Sequence, residues 1–163
     1  MVITFRRGFI AGIALLVSVG VYLVWLYRPE HQVRLHTENF LHAIDGRNWQ
    51  RVASFIADDY HDQWNNDRIR LVERMREGFR WVRGSRITAP NAAVQVETPC
   101  VIWLGKIIVY SSDDGVMTVL DERINKLPTP FELEWRRFSD KPWDWKLVRV
   151  RNPAFQIPAD ISY

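Results

Sequence analysis

The chain has 163 residues, which is enough for one domain and an accessory segment. Hydrophobic residues make up 47% and charged residues 25%, a composition that excludes a disordered chain. The single cysteine, Cys100, excludes an internal disulfide and a cysteine-based metal site. The net charge of +3 comes from Arg6, Arg7 and Arg28, because the rest of the chain carries equal numbers of basic and acidic side chains. The charge therefore gives no reason to expect nucleic-acid binding.

The segment Gly8–Tyr27 contains no charged residue. As a helix of 20 residues it would span roughly 30 Å, the thickness of the hydrocarbon core of a bilayer. Tyr22, Trp25 and Tyr27 cluster at its C-terminal end, as in an aromatic belt. We predict a transmembrane anchor with helix bounds near 8–27, in contact with membrane lipids. The alternative is a cleavable signal peptide, which would be shorter and end in small residues, whereas this run ends in Trp-Leu-Tyr-Arg-Pro.

Flanking charge predicts the orientation of this anchor. Arg6, Arg7 and the terminal amine precede the segment, and Arg28 follows it. The positive-inside rule then places the N-terminus in the cytoplasm and residues 30–163 outside. Gly8 and Gly12 form a GxxxG pair that would let two membrane helices pack closely, although glycine is also common in membrane helices without that role.

Three further helices are predicted before residue 85. Residues 31–45 have helical apolar spacing and stop at Gly46, Asn48 can cap a second helix, and Asp67 can cap a third. The predicted buried stripe of the third helix is Ile69, Val72, Met75, Phe79 and Val82.

The pattern then changes to short runs separated by Pro and Asp-Gly turns: AAVQVE, VIWLGKIIVY, VMTVLDERI, FELEWRRF and WDWKLVRV. Ile102–Tyr110 is apolar on both faces, which predicts a central strand. Val148 and Val150 break the alternation of the last run and indicate a bulge or strong curvature. Three helices followed by about five antiparallel strands predict an α+β domain with helices covering one face of a curved sheet.

The stretch FLHAIDGRNWQRVASFIADDYHDQW, followed by a helix and strands that end in WKLVRV, resembles the nuclear transport factor 2-like superfamily over roughly residues 33–155. The resemblance implies a cone: a bent sheet wrapped around helices, with a cavity at the wide end. The superfamily includes ketosteroid isomerases, scytalone dehydratases and polyketide cyclases, and also non-enzymatic binding and assembly domains. Several bacterial members have one N-terminal membrane helix, as in the inner-membrane parts of type IV secretion systems. We therefore expect a cytoplasmic stub and anchor at 1–29 and a domain at 30–163 outside a bacterial inner membrane.

The stretch ADDYHDQW, residues 57–64, concentrates side chains that are common in active sites. Asp58, His61 and Asp62 match no established metal-ligand spacing, so neither a metal nor another cofactor is expected. For acid–base chemistry we name Asp121, Tyr60 and His61, with Asp121 on a strand face beside Met117 and Val119 or, alternatively, paired with Arg123 or facing water. His61 is the one pocket candidate among the histidines, because His31, His36 and His42 lie in the first domain helix. The favoured interpretation is a solvated helix exit, with Tyr60 and Trp64 packed into the core and with arginine or solvent offsetting Asp58 and Asp59.

An arginine-rich helix provides another candidate surface. The arginines there are Arg68, Arg70, Arg74, Arg76, Arg80, Arg83 and Arg86. We name Arg76, Arg80, Arg83 and Trp64 as candidates for binding a ligand or partner, and the arginines could contact anionic headgroups or an acidic partner. The alternative is an ordinary charged face with Glu73–Arg76 and Glu77–Arg80 pairs.

These observations predict a single-pass membrane-anchored module that binds or assembles with other membrane proteins or with a second copy, as a subunit of a bacterial membrane complex. Nucleic acid is not an expected partner. The alternatives are an isomerase- or dehydratase-like enzyme and a carrier for a small apolar ligand, both of which would use the cone cavity.

Overall fold

The computed structural model describes residues 5–82 and 84–156, with side chains from residue 9 onward. The helices are α1 (Phe5–Leu26), α2 (Pro29–Asp45), α3 (Trp49–Phe55), α4 (Arg68–Gly78) and α5 (Asp114–Leu120), and α5 continues into a π-helical turn (Asp121–Asn125). The strands are β1 (Arg86–Thr88), β2 (Ala93–Glu97), β3 (Cys100–Gly105), β4 (Ile108–Tyr110), β5 (Phe131–Arg137) and β6 (Trp145–Arg151). The order of elements confirms the predicted α+β class.

Helix α1 carries its apolar side chains on the outside of the domain. The window Phe9–Leu26 has a mean hydropathy of 2.4, and 0% of it is buried. Among the described residues it is the one helix with the length and composition of a membrane span, a test that a signal sequence also passes. A Cβ on Gly12 would meet no atom within 4 Å, so this side of α1 is open, while the surroundings of Gly8 lie outside the described residues.

The predicted end of α2 at Gly46 and the predicted caps at Asn48 and Asp67 are confirmed, whereas α2 begins earlier, at Pro29, and α4 ends at Gly78. Gly46 caps α2, the Asn48 side chain accepts a hydrogen bond from the Arg51 amide at the start of α3, and Asp67 accepts one from Arg70 at the start of α4. These side chains satisfy amides that the first helical turn leaves unpaired.

The predicted stripe of α4 needs two corrections: Phe79 and Val82 lie beyond the end of the helix at Gly78, and Ile69 does not face the core. The side chain of Ile69 is 69% exposed, whereas Leu71 packs with Val72 and Met75 against the main core. Residues 71, 72 and 75 share one face of the helix at helical spacing, and Ile69 lies outside that face.

The main sheet is antiparallel with strand order β2-β3-β5-β6. Its inner face carries Val101, Trp103, Leu133, Trp135 and Leu147, which pack on α2 and α3. Trp135 is fully buried, with the rings of Phe40 and Phe55 edge-on at 6.1 and 6.5 Å.

The predicted irregularity of the last strand is confirmed as a bulge. Glu134 pairs with Arg149 and Trp135 pairs with Leu147, so Val148 is the extra residue of β6. Because of this extra residue, Val150 lies opposite Leu133 and packs against the main core, and Val148 is buried as well.

The run VIWLGKIIVY is two strands and not the single central strand that we predicted. β3 ends at Gly105 in the main sheet, and β4 pairs with β1 in a separate two-stranded ribbon. The Trp103 ring lies over Gly105, where an added Cβ would be 2.3 Å from the ring. Glycine therefore leaves room for the indole at the point where the chain leaves the main sheet.

The run VMTVLDERI is helical, which corrects both the predicted strand and the predicted position of Asp121. Asp113 accepts a hydrogen bond from the Val116 amide and caps α5. Val116, Leu120 and Ile124 then recur every four residues and pack with Val82 and Val109 in a second, smaller core. Asp121 follows α5 in the π-helical turn and shares no strand face with Met117 or Val119.

Candidate functional site

Asp62 organises the ADDYHDQW stretch. It is 4% exposed, and its Oδ1 accepts hydrogen bonds from the Trp64 and Asn66 amides at 2.9 Å. Its Oδ2 accepts from the Asn66 side-chain amide at 2.8 Å and from the Tyr60 hydroxyl at 3.2 Å. Both carboxylate oxygens are thus used to fold the chain between α3 and α4.

Tyr60 belongs to the main core, as the favoured interpretation predicts. Burial, and then the negative charge and hydrogen bond of Asp62, raise the pKa of Tyr60. The hydroxyl therefore stays protonated and donates to Asp62.

Asp58 and Asp59 follow the C-terminus of α3, and each has an arginine partner. Asp58 pairs with Arg68, and Arg136 Nη2 lies 2.5 Å from Asp59 Oδ2. The Arg136 hydrogen bond holds the pKa of Asp59 below its usual value. The predicted arginine compensation at this helix end is confirmed.

Trp64 and His61 differ in their surroundings. The Trp64 indole donates to the Phe155 carbonyl at 3.1 Å and meets the Phe155 ring edge-on at 5.5 Å, so it serves as packing between this loop and the C-terminal segment. His61 is exposed, and its backbone amide donates to the Val148 carbonyl at 3.2 Å.

The three acid–base candidates are not hydrogen-bonded to one another in the described structure. Tyr60 bonds Asp62, and the Asp121 carboxylate accepts from the Asn125 amide at 2.8 Å, beside β4. None of the three lines the cavity described next. Their catalytic role stays a prediction.

A cavity of about 250 Å³ lies between α2 and the β1–β3 side of the domain. Its polar wall comes from α2, with Arg34, Glu38, His42 and Asp45 among its residues, and Ala92 and Trp103 contribute to the apolar wall. This volume is below the roughly 300 Å³ at which ordinary ligand sites begin. The sequence analysis named His61, and not His42, as the pocket histidine. The signal for this wall was the spacing of residues 34, 38 and 42, which places these side chains on one face of α2.

We call Arg76, in the last turn of α4, and Arg80, two residues beyond the end of that helix, the arginine face of α4. Arg76 and Arg80 are exposed, and among the described residues neither pairs with Glu73 or Glu77 within 4.0 Å. The Arg80 guanidinium lies 6.0 Å from the centre of the Trp81 ring, and this indole is 75% exposed. Arg83 lies outside the described residues.

No protein-family model matches this sequence, and no curated protein does. Solved structures match its fold. A nuclear transport factor 2-like protein with a cystatin-like fold from Novosphingobium aromaticivorans gives a TM-score of 0.57 at 14% identity, over 89% of this chain and 93% of that one. A nuclear transport factor 2-like protein of unknown function from Pseudomonas putida gives 0.55 at 11% identity, over 74% and 82%. The CaMKII hub from S. rosetta gives 0.52 at 14% identity, over 76% and 94%. The chain therefore has the nuclear transport factor 2-like α+β fold that its sequence pattern predicts.

Proposed function

We propose that this chain is a single-pass membrane-anchored module whose domain binds or assembles with other proteins at a bacterial inner membrane. The observation that carries the proposal is α1, whose window Phe9–Leu26 is wholly unburied although its mean hydropathy is 2.4. A helix that is apolar all round and uncovered by its own domain requires a bilayer or a partner around it. Arg6 and Arg7, which precede the apolar window of α1, favour an N-terminus in the cytoplasm and residues 30–163 outside.

The junction between α1 and α2 supports an anchor that is continuous with the domain. The Gln32 side-chain amide donates to the Leu26 carbonyl at 2.7 Å, and the Trp25 and His31 rings lie 4.1 Å apart. The Gln32 bond satisfies a carbonyl that the end of α1 leaves unpaired. The domain would then stand directly at the bilayer surface.

The arginine face of α4 is the surface that we assign to an acidic protein partner. Arg47, which follows α2, donates to the Val82 carbonyl, and the Trp49 and Phe79 rings lie 6.3 Å apart. These contacts hold the segment that follows α4 against the residues that follow α2. The C-terminal end of α2 is the end that is farther from α1. Arg76 and Arg80 are therefore better placed for a protein than for lipid headgroups. The CaMKII hub from S. rosetta is a precedent for this fold serving as a hub.

Alkaline extraction of membranes that contain the full chain tests the anchor. We expect the chain to stay with the bilayer at its full uncleaved mass, and a Leu16→Arg/Val17→Arg variant to be released, since each arginine costs about 3 kcal/mol at the centre of a span. A mature chain that begins after α1 would instead identify a signal peptide and contradict the proposal.

Purification in mild detergent, followed by native mass spectrometry, tests assembly. We expect a second copy or another protein in fixed stoichiometry, which Arg76→Glu/Arg80→Glu weakens. The matched control is Arg51→Glu/Arg137→Glu, which changes two exposed arginines on other elements. A chain that purifies alone, or equal loss in both variants, would contradict the assignment of this face.

A second candidate function, carriage of a small ligand, is favoured by the cavity beside α2. The ionisable groups there are Arg34, Glu38, His42 and Asp45, so an enzyme of the isomerase or dehydratase class would have to use these residues. Native mass spectrometry for a bound small molecule is the test. Ala92→Leu would fill the cavity and remove the ligand, whereas Ala93→Leu, on the neighbouring exposed position, would leave it bound.

A further inference from the structure

The turn between β5 and β6, residues 138–144, exposes two aromatic side chains. Phe138 is 47% and Trp143 is 55% exposed. Hydrogen bonds within the turn fix its shape: the Phe138 amide donates to the Asp144 carbonyl at 2.9 Å, and the Trp145 indole donates to the Pro142 carbonyl at 2.8 Å. The Arg136 guanidinium stacks on the Phe138 ring at 4.6 Å. The aromatic side chains are thus presented by an ordered turn.

His36 joins this turn to α2. Its Nε2 lies 2.9 Å from the Trp143 carbonyl oxygen, and its Nδ1 lies 2.8 Å from the Gln32 carbonyl oxygen. The second contact shows that the ring folds back by one helical turn, toward the N-terminus of α2. The turn is therefore held near the end of α2 that follows α1.

Two contacts connect the turn to the end of α1. The Gln32 side chain donates to the Leu26 carbonyl at 2.7 Å, and the carbonyl oxygen of Gln32 lies 2.8 Å from Nδ1 of His36, the residue that contacts the turn. The headgroup layer on one side of a bilayer is roughly 6 Å thick. An indole side chain is about as long as this layer is thick.

Resting on the anchor proposed above, we propose that the β5–β6 turn is a second membrane contact, which places Phe138 and Trp143 at the boundary between lipid headgroups and acyl chains. Aromatic side chains favour this layer because one part of the ring system is apolar and, in Trp, one part is polar. Trp25 at the end of α1 and Trp143 would then share one interface, and two contacts would fix the orientation of the domain on the membrane.

The charges of the turn indicate which lipid surface it suits. Within residues 138–144 the charged side chains are Lys141, Asp140 and Asp144; Arg137 directly precedes the turn, and Arg136 is paired with Asp59. A turn without an excess of positive charge gains little from anionic lipid, so the contact is apolar and forms equally well on zwitterionic phosphatidylcholine.

A fluorophore placed at three sites tests this contact. The full chain, with Cys100→Ser to remove the native thiol, carries one new cysteine at a time: Val17→Cys in α1, Lys141→Cys in the turn, or Arg80→Cys beyond α4. Each is labelled with nitrobenzoxadiazole and reconstituted in phosphatidylcholine vesicles containing nitroxide-labelled phospholipid. We expect several-fold quenching at positions 17 and 141, none at position 80, and no change when anionic lipid or salt is added. Adding Phe138→Ser/Trp143→Ser to Lys141→Cys should abolish quenching at position 141 without changing the melting temperature.

Quenching at 17 with none at 141 would overturn the turn contact and leave the anchor intact. Equal quenching at 141 and 80 would overturn it as well, because the contact would not be specific to the turn. No quenching at 17 would overturn the anchor, and this contact with it.

Discussion

The two parts of the domain are stabilised in different ways. The main sheet, with α2 and α3, encloses a core of bulky side chains centred on Trp135. The ribbon of β1 and β4, with α5 and the π-helical turn, has a core whose buried members among the described residues are Val82, Val109 and Leu120. A small core contributes little free energy, so the ribbon part depends more on individual polar contacts.

Asn125 is the main polar contact of the ribbon part. Its side chain accepts from the Val109 amide at 2.8 Å and donates to the Val109 carbonyl at 2.9 Å. One amide thus satisfies both backbone groups of an edge-strand residue and protects that edge from pairing with another chain. The comparison teaches that the main sheet is stabilised by a large apolar core, whereas the ribbon part depends strongly on one particular side chain.

The largest effect that separates the two parts is expected for Trp135→Ala. Removing a fully buried indole from a ring cluster should lower the free energy of unfolding by about 4 kcal/mol. Thermal melting by circular dichroism should show one cooperative loss for the whole domain. Leu120→Ala in the small core is the matched control, with a smaller loss, and equal losses would contradict the distinction.

Asp62→Ala is expected to cause the next largest loss in the free energy of unfolding. It leaves the Tyr60 hydroxyl and the Trp64 and Asn66 amides without their shared acceptor, a loss of about 3 kcal/mol. Asp59→Ala is the control, because its ion pair with Arg136 is largely exposed and contributes little. Similar urea midpoints for the two variants would show that Asp62 does not organise this loop.

Asn125→Ala should affect the ribbon part alone. Losing both bonds to Val109 should cost about 2 kcal/mol locally. Hydrogen exchange should speed up at Val109 and its neighbours in β4, while the amides of β5 and β6 serve as the internal control. Uniform acceleration across both parts would mean that they unfold as one unit.

The accuracy of the sequence predictions follows the same division. The clean alternation of Phe131, Leu133 and Trp135 matches the period of a strand and nothing else, so β5 was predictable. In VMTVLDERI apolar residues suit both a strand and a short helix, and the Asp113 cap decides in favour of the helix. Burial of Trp103 over Gly105 is a tertiary effect, which local periodicity cannot reveal.

The candidate sites were predictable to a smaller extent. The packing of Tyr60 and the need of Asp58 and Asp59 for positive partners follow from local rules about helix ends. Their partners Arg68 and Arg136 come from other elements, and Arg136 is 77 residues away from Asp59. The cavity wall on α2 likewise becomes a site only through the fold, since β1 and β3 lie far along the chain.

The smallest predicted effect concerns the outer face of the main sheet, where Cys100 lies across from Arg136 and near Glu134. Partial burial, and then the hydrogen bond and charge of Glu134, raise the pKa of the Cys100 thiol. A raised pKa leaves less of the reactive thiolate at a given pH, so Cys100 should react slowly with iodoacetamide at mildly alkaline pH. Glu134→Gln removes the negative charge but not the burial, and should speed alkylation several-fold; its effect on stability should be small, because the pairs of Glu134 with Arg149 and Arg151 are partly exposed. Glu132→Gln, on the same strand face two residues away, should leave the rate unchanged, and all variants should react equally once unfolded. An unchanged rate in Glu134→Gln would mean that burial alone controls this thiol.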